Sequence, residues 1–250
     1  MARRRFLIFT DIHANEQALE AVFRAVLRKH YEAVWCLGDL VGYGAGPNGV
    51  VRRLRKLRHF VAVRGNHDKV SVGAENGDNF NSSARQAAQW TAKSLSKESK
   101  EFLAKLPRGP LEVLPGVWLA HGSFVDEDAY LFSDFDAYQS FQAGTFQLCF
   151  FGHTHFPALY QHNAQGVDFI PLSGETEIEL LLDPASRYLV NPGSVGQPRD
   201  RCPMASFAEY YPDSRRLVLH RVPYDVEAAA DKIRKAGLPE NLANRLLVGT

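Results

Sequence analysis

The sequence predicts a layered α/β fold built on parallel strands. Two observations carry the prediction. Over the first 68 residues, short apolar runs alternate with segments of helical periodicity in the order β-α-β-α-β, and crossovers of that kind join neighbouring parallel strands. Beyond residue 155 the pattern turns to short strands separated by proline-rich and polar turns.

Residues 6–9 are four consecutive apolar side chains, the mark of a strand buried on both faces. A helix is expected over 15–30, because Leu19, Val22, Phe23, Val26 and Leu27 recur at helical spacing behind Asn15, a good N-cap. Residues 34–37 make the second strand, 38–47 a glycine-rich loop and 49–57 a basic amphipathic helix. The third strand, 60–63, ends at Arg64-Gly65-Asn66-His67-Asp68. Helical spacing returns over 81–93 and 96–106, the latter capped by Ser96. Strands at 117–120 and 148–151 run into His121-Gly122 and Gly152-His153-Thr154-His155, with a short helix over 135–143 between them. Further strands are expected at 158–161, 168–171, 177–182, 188–191, 205–211 and 217–222, and helices over 225–236 and 240–247. No repeat, low-complexity tract or linker divides the chain, so one domain over 1–250 is expected, with its last two helices packed on it.

Composition narrows the classes. With 250 residues, 45% hydrophobic and 23% charged, the chain can bury a substantial core. A net charge of +1 supplies no basic excess for nucleic acid and no acidic tail. The basic run at 52–58 reads as a solvated helix face. Cys36, Cys149 and Cys202 are far apart and form no CxxC pair, which argues against a disulfide framework and for a reducing compartment. Arg3, Arg4 and Arg5 precede an apolar run of four residues, against the about 7–15 of a signal sequence. Nothing approaches the about 18 apolar residues of a membrane span. A cytoplasmic protein without a membrane partner is expected. No residue pattern selects an oligomeric state.

The chemistry lies in five blocks, each an apolar strand whose carboxyl end delivers Asp, Asn or His: Asp11-Ile12-His13, Gly38-Asp39, Gly65-Asn66-His67-Asp68, His121-Gly122 and Gly152-His153-Thr154-His155. Layered α/β folds bind ligands beyond such strand ends. Carboxylate, amide and imidazole donors without thiolate suit Mn, Fe, Co, Ni or Zn. Asp11 and His13, and likewise His153 and His155, are two residues apart, so each pair is expected to aim at one crevice as side chains do along a strand. Seven donors exceed the needs of one ion and suit two, roughly 3.5–4 Å apart.

All five blocks, present in order across residues 11 to 155, resemble the calcineurin-like metallophosphoesterases. The segment 191–200, Asn-Pro-Gly-Ser-Val-Gly-Gln-Pro-Arg-Asp, is similar to one in the smaller, phosphodiesterase-like bacterial members. The resemblance implies a four-layer α/β/β/α sandwich with two central mixed sheets, the metallo-dependent phosphatase fold. It implies a first metal on Asp11, His13, Asp39 and His155. Asp39 bridges to a second, completed by Asn66, His121 and His153. It places His67 beside the leaving-group oxygen, as general acid or electrostatic stabiliser, with Asn66 also facing substrate and Asp68 supporting the local geometry. The implied reaction is hydrolysis of phosphomono- or phosphodiester bonds, in a small phosphorylated compound or nucleotide, by a hydroxide between the metals. A metal-binding scaffold or interaction module of the same fold, or a protein phosphatase, is the alternative; the intact ligand positions and His67 favour the enzyme. Arg199 is the candidate phosphate contact through its guanidinium fork, against a surface ion pair with Asp200. The loop at 42–48 is also family-like, and its Tyr43 either packs or stacks on substrate. His162, seven residues past His155, either approaches the site or packs. Ala14 stands where many relatives have Gly.

Overall fold

The computed structural model describes residues 4–172 and 174–250; Arg3 of the basic run lies outside them. The first half of the chain supplies β1 (Phe6–Phe9), α1 (Glu16–Val26), β2 (Ala33–Cys36), α2 (Pro47–Leu54), β3 (Phe60–Ala62), α3 (Asn66–Ser71), α4 (Ser82–Ser94), α5 (Lys97–Leu103), β4 (Leu111–Leu114) and β5 (Val117–Leu119). The second half supplies α6 (Asp134–Ala143), β6 (Leu148–Phe150), β7 (Pro157–Asn163), β8 (Gly166–Pro171), β9 (Glu177–Leu181), β10 (Arg187–Pro192), β11 (Ala205–Tyr211), β12 (Arg216–Val222), α7 (Val226–Lys235) and α8 (Glu240–Val248).

Two six-stranded sheets form, ordered β3-β2-β1-β11-β12-β9 and β4-β5-β6-β10-β7-β8. Both are mixed. β1, β2 and β3 run parallel, with β11 antiparallel to β1; β5, β6 and β10 run parallel, with β7 antiparallel to β10.

Period-two alternation within the short strands builds the layers. Ile8, Trp35 and Leu37 from one sheet meet Leu119, Phe150 and Val190 from the other in a shared inter-sheet core. The intervening residues Leu7, Phe9, Val34 and Cys36 face outward onto α1, α2 and α5 through Leu19, Val22, Leu54 and Leu103. On the far side, Cys149, Phe151 and Leu189 pack on Ala137 and Phe141 of α6. The order is therefore helix, sheet, sheet, helix, as the sequence resemblance implies. α7 and α8 pack on Tyr43 and on Ala84 and Ala87 of α4. No helix among the described residues is long and apolar enough to cross a membrane.

Several boundaries differ from those expected. α1 stops at Val26, and Leu27, counted above in its apolar stripe, is 80% exposed. α2 starts earlier than expected, with Pro47 in its first turn, where a missing N–H costs nothing. Residues 66–71 form a helix rather than a continuing loop. β4 was not anticipated; it is a short edge strand paired irregularly with β5.

Candidate metal centre

The parallel strands of both sheets end at one edge, and the loops beyond them carry the predicted residues. The loop after β1 lies against the loop after β2: the Asp11, His13 and Ala14 N–H groups donate to the Gly38, Asp39 and Leu40 carbonyls at 3.0–3.1 Å. Here the backbone leaves the strand conformation. Asp11 (φ 53°), His13 (47°), Ala14 (53°), Asp39 (52°), His153 (67°) and His155 (63°) all occupy the left-handed region, at about 1–2 kcal/mol each for residues with a β-carbon. Strain gathered at one point is a signature of functional geometry. The expected reason for convergence, strand-like alternation, is thus corrected. His153 and His155 both face the one cleft, as expected, but belong to two different clusters within it.

The first cluster is Asp11, His13 and His155; the second is Asp39, His121 and His153; in each, the donor atoms lie within 4.8 Å of one another. Asp39 Oδ2 joins them, 3.6 Å from His13 Nε2 and 3.5 Å from His121 Nε2. Asn66 Oδ1 lies 3.2 Å from His121 Nε2. The structure therefore brings all seven predicted metal-site residues together. His67 also approaches: its ring falls within the same 4.8 Å of His13 and Asp39.

Three of the histidines are oriented by the backbone. His13 Nδ1 lies 3.3 Å from the Val41 carbonyl, His121 Nδ1 2.8 Å from that of Leu37, and His155 Nδ1 2.6 Å from that of Gln197. A carbonyl only accepts, so each Nδ1 carries the proton and each Nε2 points inward, as the outer partners of metal-binding imidazoles arrange.

The inward side shows what is wanted there. His13 Nε2 and His155 Nε2 face each other at 3.0 Å, two lone pairs without a proton between them. Asp11 Oδ1 is fully buried with no hydrogen-bond partner. Burial pushes the Asp11 carboxyl up to about 7, and it lowers His67 to about 4 and His153 to about 3. Burial would raise Asp39 too, but His121 and His67 hold it well below the usual range. His121 itself, which burial would lower, is kept at about 10 by Asp39. Hard and intermediate donors, an orphaned carboxylate oxygen and opposed lone pairs all fit divalent cations.

Neighbouring groups complete the site. Asp68 accepts from the Val41 and Gly65 N–H groups, both at 3.1 Å, fixing the turn that starts α3. The His67 N–H donates to Asp39 Oδ1 at 2.9 Å. Its ring sits between Tyr43 (4.3 Å) and Phe80 (4.5 Å). Tyr43 is buried and packs on His13 as well. A cleft of about 820 Å³ opens over the centre, lined by Tyr43, Asn66, His67, Tyr130, Arg199 and residues 73–81.

Three contributions escaped the sequence reading. Tyr130 stacks on His153 at 4.0 Å. Phe80 and its segment form a wall of the cleft; the glycines at 73 and 77 were the available signal. Segment 191–200 braces both loops: Asn191 Nδ2 donates to the Gly152 carbonyl, and Ser194 Oγ to that of Asp11. Arg199 reaches the cleft and does not pair with Asp200, whose carboxylate is taken by Arg221. His162 packs on Phe141 at 5.0 Å, beside α6 rather than at the centre.

Known proteins agree with this architecture. The profile of the calcineurin-like phosphoesterase superfamily domain matches residues 5–211. The chain is 36% identical, over the full length of both, to the uncharacterized protein MJ0912 of Methanocaldococcus jannaschii. The crystal structure of a metallophosphoesterase from Sphaerobacter thermophilus is similar at 36% identity and a TM-score of 0.87, over 99% of this chain and 100% of that one. The hypothetical protein PH1004 of Pyrococcus horikoshii OT3 shares the fold at 18% identity and a TM-score of 0.78, over 98% of each chain.

Proposed function

The chain belongs to the calcineurin-like phosphoesterase superfamily, and from that premise we propose that it is a two-metal phosphoesterase acting on a small phosphorylated compound or nucleotide. The single observation that carries the two-metal reading is the position of Asp39. Its Oδ2 stands within 3.6 Å of imidazole nitrogens belonging to both clusters, where a bridging carboxylate belongs. Asp11, His13, Asp39 and His155 would hold one ion; Asp39, Asn66, His121 and His153 would hold the other. When bound, the ion pair supplies positive charge at the phosphoryl oxygens and activates water for attack.

The chain's own residues do the rest. His67, pinned by Tyr43, Phe80 and the bond from its N–H to Asp39, presents its ring toward the cleft beside the leaving oxygen, as electrostatic stabiliser or as general acid. Burial lowers its pKa to about 4, so it acts as an acid only once the charge of a bound phosphate has raised that value. Arg199 grips phosphate oxygens with a planar fork. The three unpaired cysteines suit a reducing cytoplasm.

The test is hydrolysis of p-nitrophenyl phosphate and bis-p-nitrophenyl phosphate by protein supplied with Mn. Two equivalents of metal and turnover of at least one ester are expected. His67→Ala should lower kcat by roughly 10²–10⁴-fold while leaving metal content near two. Pure, fully loaded protein that hydrolyses neither ester overturns the proposal, and a stoichiometry of one overturns its two-metal part.

A further inference from the structure

We propose that Arg199, which lines the cleft, and Arg245, which meets it on a shared acceptor, form a paired anion site, so that the substrate carries a second phosphate besides the one hydrolysed. This rests on the phosphoesterase reading above and deepens it.

The two arginines come from remote parts of the chain, Arg199 from the segment after β10 and Arg245 from α8. They meet on one atom. Arg199 Nη2 donates to Gln197 Oε1 at 3.1 Å and Arg245 Nη1 to the same oxygen at 3.4 Å. The Gln197 backbone carbonyl in turn orients His155, so the pair is anchored to the metal centre. The Arg199 guanidinium lies 5.9 Å from the centre of the Tyr43 ring, which is packed 4.3 Å from His67.

What marks the pair is its missing counter-charge. Most half-buried arginines elsewhere are neutralised or saturated: Arg221 by Asp200, Arg64 by Glu127, and Arg187 by the carbonyls of Phe141, Gly144 and Phe146; Arg5, whose Nε is also buried without a partner, lies over the rings of Tyr31 and Tyr211 instead. Among the described residues, neither Arg199 nor Arg245 forms a salt bridge, and Arg199 Nε is buried with no hydrogen-bond partner. Of the acids in the cleft wall, Glu75 and Asp128 are held by Lys69 and Asp78 accepts from Asn76; none of them pairs with either arginine. Burial and the charge of Arg199 both lower the Arg245 pKa, the expected strain of two like charges sharing one neutral acceptor.

A bound anion relieves that strain. Two guanidinium forks offer paired donors and two positive charges, which match a phosphate dianion better than a carboxylate. A phosphate held at the metal cluster and gripped by Arg199 leaves the Arg245 fork unmatched, and a second phosphate placed between the two arginines would use it. The site therefore selects compounds bearing two phosphate groups, such as a sugar bisphosphate or a nucleotide with a second phosphoryl group.

The test uses two non-hydrolysable probes, propane-1,3-diphosphonate and propylphosphonate, titrated calorimetrically into the metal-loaded full chain. Wild type should bind the diphosphonate roughly tenfold or more tightly, the worth of charge-assisted hydrogen bonds to a second anion. Arg245→Gln should close that gap while weakening propylphosphonate little; Arg245→Lys, which keeps the charge without the fork, should close it partly. A purely structural defect would weaken both probes alike. Equal affinities in wild type, or a gap that survives in Arg245→Gln, overturn the inference. Parallel hydrolysis of p-nitrophenyl phosphate and bis-p-nitrophenyl phosphate by wild type separates the two claims: activity on either ester without a diphosphonate preference sinks only this inference, whereas activity on neither sinks the phosphoesterase reading.

Discussion

A β-carbon at position 65 would overlap the carboxylate and backbone nitrogen of Asp39. Gly65 itself has φ −103°, which any residue adopts, so the demand for glycine comes from space and not from the dihedral. Gly152 is similar: a side chain there would run into Thr10 Oγ1 and stand 2.9 Å from Asp11 Oδ2. Glycine beside Asp39, Asn66, His121 and His153 lets loops from different strands approach closely enough for their side chains to converge. Gly65→Ala should therefore push Asp39 off the point it shares between the two clusters. Metal analysis should show clearly fewer than two equivalents, and turnover should fall roughly 100-fold, the cost of about 1 Å of misplacement. Far-UV circular dichroism should stay as in wild type. A variant that keeps both ions and full turnover would show that the carboxylate tolerates displacement and does not bridge.

At the scale of elements, α3 is the joint on which the cleft turns. It starts at the predicted residues Asn66 and His67, and one turn later its Lys69, only 2% exposed, reaches Glu75 (2.8 Å), Glu127 (3.3 Å) and Asp128 (2.5 Å). One ammonium thus ties α3 to the wall at 73–81 and to the segment leading to Tyr130. Lys69→Met should leave these carboxylates facing one another and destabilise the fold by about 3 kcal/mol, the low end for a broken buried pair, because Glu75 and Asp128 also reach water. Urea denaturation measures this; a loss under about 1 kcal/mol would mean that the three acids rearrange freely without their cation. Yet α3 was not legible in the sequence. It has six residues, a glycine at its N-cap and no apolar stripe, so nothing separates it from a loop. α1 and β6 were legible because periodicity and burial coincide in them. The seven candidate metal-site residues could be singled out, and expected to converge, because each sits in a short block at a strand end. Tyr130, Asn191 and Arg245 could not, since each acts on a segment far away in sequence, and an arginine in a helix such as α8 looks like any solvent-facing charge.

At the scale of the whole molecule, the first sheet contributes to two buried polar clusters. One, the candidate metal centre, lies beyond the carboxyl ends of β1 and β2. The other centres on Glu209 of β11, opposite Leu7 of β1. Glu209 is 2% exposed and accepts from Lys29 Nζ (2.9 Å), His220 Nε2 (3.0 Å), Tyr211 Oη (3.2 Å) and Tyr31 Oη. Burial alone would raise its carboxyl, but the hydrogen bonds from His220, Tyr31 and Lys29 outweigh it and hold Glu209 far below the usual carboxylate range. The sign of the pH effect follows. In acid the unfolded chain binds a proton at this position before the folded chain does, so the stability Glu209 contributes is complete above its unfolded pKa and is lost as pH falls below it. Glu209→Gln should cost about 2 kcal/mol at neutral pH, the scale for removing the charged member of a buried hydrogen-bonded group. It should also shrink the loss of stability between pH 7 and about pH 3, near and below the ordinary carboxylate pKa. Denaturation curves at both pH values measure the two effects together. A variant that loses as much stability on acidification as wild type would move the acid sensitivity to other carboxylates, with the buried Asp11 and Asp39 of the candidate metal centre the first to examine.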